Sequence, residues 1–344
     1  MSKLSLETGT GQVPAPLTYR QQRRSMFSAL AGPATGLLLM LTILSIVSPH
    51  FLTSLNLLNV SRQAATNIIM AAGQSLVIFT GGIDLSVGSV MALAASTAIV
   101  AITHHGLNLW LGILLCLLVG AGCGFVNGVI ITKGKVPDFI VTLGMLSAAR
   151  GLALLVTDGM PVPSHYVAVR AYMPRALIAL GAGEVLGIPA PFFIALVVIG
   201  VTWFISQHTR TGRHLYAVGG NREAARVSGI NVEHSKVAAY TASGLLAAVA
   251  GLVLAGRLNS ANAHMGTGAE LNAIASVVMG GTNLFGGEGS LGGTLIGGTT
   301  LSVLANGLNL LAVSPFWQQV AMGTVVVSVV VFDQWRRRRL AGRG

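Results

Sequence analysis

Uncharged apolar runs close to twenty residues long alternate along this chain with short polar or basic clusters, a pattern that commits it to a lipid environment. Residues 30–48, 107–131 and 292–311 each pass without a single Asp, Glu, Lys or Arg. A helix that crosses a bilayer needs about 20 mostly apolar residues, and in lipid it must satisfy its backbone hydrogen bonds within itself. Composition agrees: of 344 residues, 53% are hydrophobic and 9% charged, with a mean hydropathy of +0.73. The pattern predicts an all-α, polytopic transmembrane bundle with about ten spans. They fall near 30–48, 59–80, 85–103, 109–132, 138–156, 192–206, 237–256, 271–285, 292–311 and 316–332. The expected organisation is a cytoplasmic tail over 1–29, a membrane domain over 30–333 and a basic cytoplasmic tail over 334–344.

The net charge of +11 would suggest a nucleic-acid partner in a soluble protein, but its distribution argues otherwise. Lys3, Arg20, Arg23 and Arg24 precede the first run, Lys133 and Lys135 share a short turn, Arg210, Arg213, Arg222, Arg226 and Lys236 share a longer segment, and Arg336 to Arg339 with Arg343 close the chain. Clusters placed at segment ends follow the positive-inside rule when all four face the cytoplasm. Both termini are then cytoplasmic and the span count is even. The first apolar run is too long for a signal-peptide core and no small-residue cleavage site follows it, so it is expected to remain as span one. Cys116 and Cys123 lie seven apart in one apolar run, without metal-ligand spacing, and read as packing residues.

Two connecting segments are long. The outer one, 157–191, holds Pro161, Pro163, Pro174, Pro189 and Pro191, which exclude one continuous helix and leave room for short amphipathic pieces. The inner one, 207–236, is basic and contains a helix-compatible stretch that Asn221 would cap and Gly229 would end. Glycine is frequent inside the apolar runs. Gly120, Gly124 and Gly128 form a small-residue stripe on one helical face, as do Gly293 and Gly297, which favours close packing of neighbouring helices within the bundle.

The chemistry-bearing candidates are few. Gly81-Gly82-Ile83-Asp84-Leu85-Ser86-Val87-Gly88-Ser89 interrupts two apolar runs with an acid. Asp84 and Ser86 either line a translocation path, where an ionisable group at membrane depth faces a cavity or partner, or sit in a cytoplasmic turn where Asp84 caps the next helix. Asn67, Gln74, Asn127 and Asn272 are uncharged hydrogen-bonding groups inside spans, suited either to the hydroxyls of a neutral solute or to bonding between helices. Arg170 and Arg175 stand on the outer loop, placed to meet acidic residues of a docking protein. No Gly-x-x-x-x-Gly-Lys-Ser/Thr loop, Ser/His/Asp arrangement or His-Glu-x-x-His pattern occurs, so no catalytic residue and no metal site is expected. His104 and His105 read as a solvated turn. An ion-coupled secondary transporter with Asp84 on the coupling ion remains the alternative to an ATP-driven one.

Glu223-Ala224-Ala225-Arg226-Val227-Ser228-Gly229 matches the Glu-Ala-Ala-x-x-x-Gly signature of the cytoplasmic loops of ABC importer permeases. With Gly-Gly-Ile-Asp-Leu-Ser at 81–86, Thr-Arg-Thr-Gly-Arg at 209–213, Phe-Ile-Val-Thr-Leu-Gly at 139–144 and Val-Met-Gly-Gly-Thr-Asn-Leu at 278–284, the chain resembles the ribose-type sugar permeases over roughly residues 50 to 335. The resemblance implies a homodimeric, type II importer-like permease in the bacterial inner membrane, carrying a monosaccharide or small polyol. It also implies a cytoplasmic ATPase subunit that holds the ATP and Mg, a periplasmic sugar-binding protein, and no cofactor in this chain. Asn221, Glu223, Ala224, Ala225 and Gly229 would then form the coupling helix to the ATPase. Glu288 departs from the family's pattern, where a basic residue is usual.

Overall fold

A computed structural model describes residues 19–163 and 172–341. Among them run thirteen helices in chain order: α1 (Tyr19–Val47), α2 (Ser54–Phe79), α3 (Val87–Thr103), α4 (Leu109–Lys133), α5 (Asp138–Thr157), α6 (Arg175–Ala182), α7 (Ala190–His208), α8 (Arg210–Gly220), α9 (Arg222–Val227), α10 (Val232–Leu258), α11 (Ala269–Met279), α12 (Leu291–Leu310) and α13 (Pro315–Ala341). A small antiparallel hairpin, β1 (Glu184–Val185) and β2 (Ile188–Pro189), follows α6. Five segments are long and apolar enough to cross a membrane: Leu30–Val47, α4, α5, α7 and α10. The protein is a multi-pass helical membrane bundle.

The centre of the bundle is α2, α3 and α10. Every residue of α2 from Ile68 to Phe79 is buried, as is every residue of α3 from Val87 to Ser96. The glycine stripe of α4 explains how α10 reaches this centre. Gly120 lies against Gly244 O and Ala248, Gly124 against Tyr240 O, and Gly128 against Val237 Cα, so the two helices meet backbone to backbone. Gly244 returns the contact onto Gly120 O. Gly293 and Gly297 of α12 do the same against Gly280 and Ser276 at the end of α11.

The connections sort into two ends. At one, Gly287 N donates to Phe79 O at 3.1 Å, Gly219 packs on Phe79 and Gly287, and Lys236 reaches Asp138 at 2.6 Å, which gathers segments 80–86, 134–137, 209–231 and 280–290. At the other, Val162 and Ala261 exchange backbone bonds at 2.7 Å and Arg62 pairs with Glu184 at 2.5 Å. The basic residues at 133–135 and 210–236 all belong to the first end. Leu30 faces Gly292 while Leu44 packs on Gly307, so α1 runs parallel to α12.

Several predicted boundaries move. Thr53 caps α2, its Oγ1 accepting from Asn56 N, and starts the helix at residue 54 rather than 59. α11 spans eleven residues in place of the predicted 271–285, because Gly280 and a positive φ of 86° at Gly281 turn the chain out of the helix. α10 begins at 232 rather than 237 and takes Lys236 into its first turns. α13 continues to Ala341, so Arg336 to Arg339 stand on the last helix and not beyond it.

The α4 contacts generate a paired test. Gly124→Val places a side chain against the Tyr240 backbone and is expected to destabilise the bundle by about 3 kcal/mol or to prevent folding. Gly122→Ala, one face away with nothing within 4 Å, should leave thermal unfolding in detergent unchanged; equal behaviour of the two variants would refute the packing.

Candidate functional site

The interruption between α2 and α3 is the most polar place in the buried interior. α2 closes at Gly81, whose φ of 72° and whose approach to Phe285 O exclude a side chain. Asp84 then turns back to open α3: its Oδ1 accepts from Ser86 N at 2.9 Å and from Ser86 Oγ at 2.6 Å. Its Oδ2 accepts from Ser243 Oγ of α10 at 3.0 Å. Asn127 Nδ2 of α4 donates to Ser86 Oγ at 3.0 Å. The Gln74 side-chain amide of α2, oriented with its oxygen toward Asp84 N and its nitrogen toward Asp84 O, makes both bonds at 3.1 Å. Four helices therefore meet around Asp84, which is 1% exposed: its carboxylate bonds Ser86 and Ser243 directly, while Gln74 bonds its backbone and Asn127 bonds Ser86 beside it.

The sequence leaves two roles open for Asp84, a path lining and a helix cap in a turn; in the structure the N-cap of α3 is Ser86, and Asp84 bonds that residue from a place that is not a peripheral turn. Its partner Ser243 lies eleven residues into α10, about 16 Å along the helix at 1.5 Å per residue. Asp84, Ser86, Gln74 and Asn127 are brought together as a closed, buried knot, and none of them lines a cavity described below. A carboxylate that accepts three donors in such a setting is held by them, and removing it strands all three.

A second, half-buried carboxylate stands nearby. Asp138 begins α5 directly after Pro137, and its Oδ2 accepts from Lys236 Nζ at 2.6 Å and from Tyr240 OH at 2.9 Å. The same phenol lies 3.3 Å from Ile83 O, one residue before Asp84. Lys236 and Tyr240 are buried. Gly82 passes so close that a Cβ would stand 2.6 Å from both Asp138 Oδ2 and Tyr240 OH. Sequence reasoning counted Lys236 among the loop cations and passed over Asp138 and Tyr240. The available signal was a lone acid at a helix start after Pro137, with a cation and a phenol four residues apart at the start of α10.

The basic segment is helical in two pieces. Thr209 Oγ1 accepts from Gly212 N at 3.2 Å and starts α8. Asn221 Oδ1 accepts from Ala224 N at 2.9 Å and starts α9, while Gly229, at φ 82°, donates to Arg226 O at 3.0 Å and ends it. Ala225 is the buried side chain of α9 and packs with Val218 and Val232. Glu223, Ala224 and Val227 face outward, Val227 with 88% of its surface exposed. Arg226 reaches both Glu223 at 3.3 Å and Glu233 of α10 at 3.1 Å, which fastens the small helix to the start of the long one. Beneath α9 lies an open cavity of about 470 Å³ lined by Lys135, Asp138, Arg222, Glu223, Arg226 and Lys236. The Tyr216 phenol of α8, pushed up to about 12 by burial, stays protonated and donates to Gly289 O at 3.2 Å.

Asn67 and Asn272 sit elsewhere. They line a second cavity, of about 440 Å³, between α2, α10, α11, α12 and α13. Arg175 is exposed on the first turn of α6, among the connections opposite the basic end. Arg170 lies outside the described residues. Among the described residues no group of three His, Cys, Asp or Glu side chains is placed to hold a metal ion.

The four-helix knot predicts a graded response. Asp84→Ala should lower stability by about 3 kcal/mol, since the Ser86 amide and the Ser86 and Ser243 hydroxyls lose their common acceptor, and Asp84→Asn should lose less. Thermal unfolding followed by size-exclusion chromatography measures both; an Asp84→Ala protein as stable as the parent would contradict the structural role.

With this geometry established, comparison with known proteins places the chain. The family model described as branched-chain amino acid transport system / permease component matches residues 56–330. The ribose import permease protein of Escherichia coli (strain K12) is 44% identical over 298 residues, covering 87% of this chain and 91% of that protein. The ribose import permease protein of Bacillus subtilis (strain 168) is 43% identical over 317 residues, covering 91% and 96%. The xylose transport system permease protein of Escherichia coli (strain K12) is 34% identical over 342 residues, covering 84% and 87%. No solved structure matches the chain.

Proposed function

The chain belongs to the family of branched-chain amino acid transport system permease components, and from that premise we propose that it is the membrane subunit of an ABC importer for a monosaccharide or closely related small polyol. The relatives named for ribose and xylose import support the sugar class. The observation that carries the mechanism is α9: a short helix capped at both ends, exposed on its outer face and fastened to α10 through Arg226 and Glu233. Such a helix is suited to seat in a groove of a nucleotide-driven partner and to hand its motion to the spans. The partner is a cytoplasmic ATPase subunit, which holds ATP and Mg.

In this arrangement the chain makes ten spans with both termini in the cytoplasm of the bacterial inner membrane. The parallel course of α1 and α12, and the return of α13, support that topology, as does the collection of basic loops at one end. A periplasmic sugar-binding protein docks at the opposite end, where Arg175 is exposed. A second copy of the chain completes the pathway. One face of α5, with Phe139, Leu143, Gly144, Ser147, Ala148 and Gly151 exposed together, offers that copy a close approach.

Ion-coupled transport is the reading this one must beat. Both Asp84 oxygens already accept hydroxyl and amide donors, which favours the ATP-driven alternative. Glu223→Arg and Gly229→Val test it. The first reverses the charge on the outer face of α9, and the second strains a residue at φ 82°. Each is expected to cut co-purification of the ATPase subunit by about tenfold, which corresponds to 1.4 kcal/mol of interface energy. Retained ATPase binding in both variants, or sugar uptake into vesicles driven by an ion gradient with no ATPase present, would overturn the assignment.

A further inference from the structure

The cavity that holds Asn67 and Asn272 lies near the end of α10 remote from the basic loops, and its volume of about 440 Å³ falls within the ~300–1,000 Å³ typical of small-molecule sites. Its polar wall is unfinished. Thr66 is 7% exposed, yet its Oγ1 has no hydrogen-bond partner among the described residues. Asn67 Oδ1 is likewise buried and unpartnered. The orientation of that amide is set by its other atom: Nδ2 donates to Ser276 Oγ at 2.9 Å and to Gly298 O at 3.4 Å. Ser276 Oγ has spent its own hydrogen on Asn272 O at 2.7 Å. Both partners therefore require a donor, and the Asn67 oxygen is left free.

Across the cavity stands Arg257, one residue before α10 ends, with no acid paired to it among the described residues. The neighbouring cation Arg62 takes Glu184 for itself. Gln63 and Asn272 add further amides to the wall, and methionine and leucine side chains make up much of the remainder. A buried acceptor without a donor and a guanidinium without an anion are each unfavourable when left so, and they call for opposite partners.

We propose that this cavity is a binding site for the transported solute within the permease, built for a neutral polyhydroxylated molecule. Arg257 receives two adjacent oxygens of that molecule, and Asn67 Oδ1 and Thr66 Oγ1 take hydroxyl hydrogens from it. A hydroxyl both donates and accepts, so a sugar satisfies the two sides at once. A carboxylate or phosphodiester alone matches Arg257 but offers Asn67 no hydrogen; a phosphatidylglycerol headgroup adds glycerol hydroxyls to its phosphate, so the comparison of lipids below separates it from the solute. The inference rests on the importer reading and adds to it a specific chamber and a selectivity residue.

Asn272→Cys, in a Cys123→Ala background and reconstituted in nanodiscs with the ATPase subunit, reports on occupancy through its maleimide labelling rate. Ribose or xylose at ten times its dissociation constant is expected to slow labelling about tenfold, equally in phosphatidylcholine and phosphatidylglycerol discs. Adding Arg257→Met should raise the protecting sugar concentration about tenfold, the effect of one charge-assisted hydrogen bond. Ribose titrated calorimetrically into the Arg257→Met single variant gives the same comparison if the double variant does not fold. Labelling indifferent to sugar, protection that follows phosphatidylglycerol alone, or an Arg257→Met protein with unaltered sugar affinity would each overturn the proposal. Failure of the unsubstituted chain to retain an ATPase would instead sink the importer reading, and the protection data would still decide whether the cavity takes sugar.

Discussion

Two carboxylates hold this bundle together: Asp84, buried in the interruption between α2 and α3, and Asp138, half-buried at the start of α5. Asp84 cannot be left in an apolar interior without donors, and α10 supplies donors both to it and to the half-buried Asp138. Lys236, Tyr240 and Ser243 fall at intervals of four and three residues, so they lie along one face of α10 and present ammonium, phenol and hydroxyl in a row. α10 meets α4 through Val237, Tyr240 O and Gly244, and there glycines let the backbones touch. One helix thereby fixes the positions of α2, α3, α4 and α5 relative to each other. Glycine at 82 completes the arrangement, since any side chain there would displace Asp138 or Tyr240.

That construction has a mechanical consequence at the basic end. α9 is tied to Glu233 by Arg226, Lys236 follows within one turn of α10, and Lys236 holds the first residue of α5. A force on α9 therefore meets α10 and α5 together and not a flexible loop. The Tyr240 phenol, bonded to Asp138 and 3.3 Å from Ile83 O, extends the same line to the residue before Asp84. Close-packed, fully bonded contacts of this kind shift as units between discrete arrangements, as a part that transmits motion must.

The membrane-helix architecture was legible from the sequence because lipid demands long uncharged runs, and those runs are visible without knowing their partners. Asn221 and Gly229 were legible as the ends of a helix because capping is local: Asn221 bonds Ala224, three residues away, and Gly229 is needed for its own φ. The shortness of α11 was not legible, since Phe285 and its apolar neighbours continue the hydropathy pattern past Gly281. Nor was the pairing of Asp138 with Lys236, residues 98 positions apart that only tertiary packing brings to 2.6 Å. Of the four buried polar residues around the α2–α3 interruption, the sequence offers Gln74 and Asn127 as solute contacts or bonds between helices, and Asp84 with Ser86 as a path lining or a capped turn. Their mutual geometry makes Gln74, Asp84, Ser86 and Asn127 a single structural unit.

The contrast between that unit and the cavity near Arg257 shows how polar groups inside a membrane protein divide by satisfaction and not by type. Asn127 and Asn67 are the same residue on buried helix faces, and each has an oxygen without a partner. Asn127 is fully buried, bonds Ser86 and lines neither cavity described above, so its free oxygen is a local deficit that the surrounding bonds outweigh. Asn67 lines a cavity of some 440 Å³ together with Arg257, which pairs with no acid among the described residues. Opposite unmet needs that face one another across an empty volume are an arrangement that packing alone would not retain, because apolar residues of the same shape would be more stable there. The polar wall persists at a cost to folding, and a solute that meets both needs offsets that cost while it is bound.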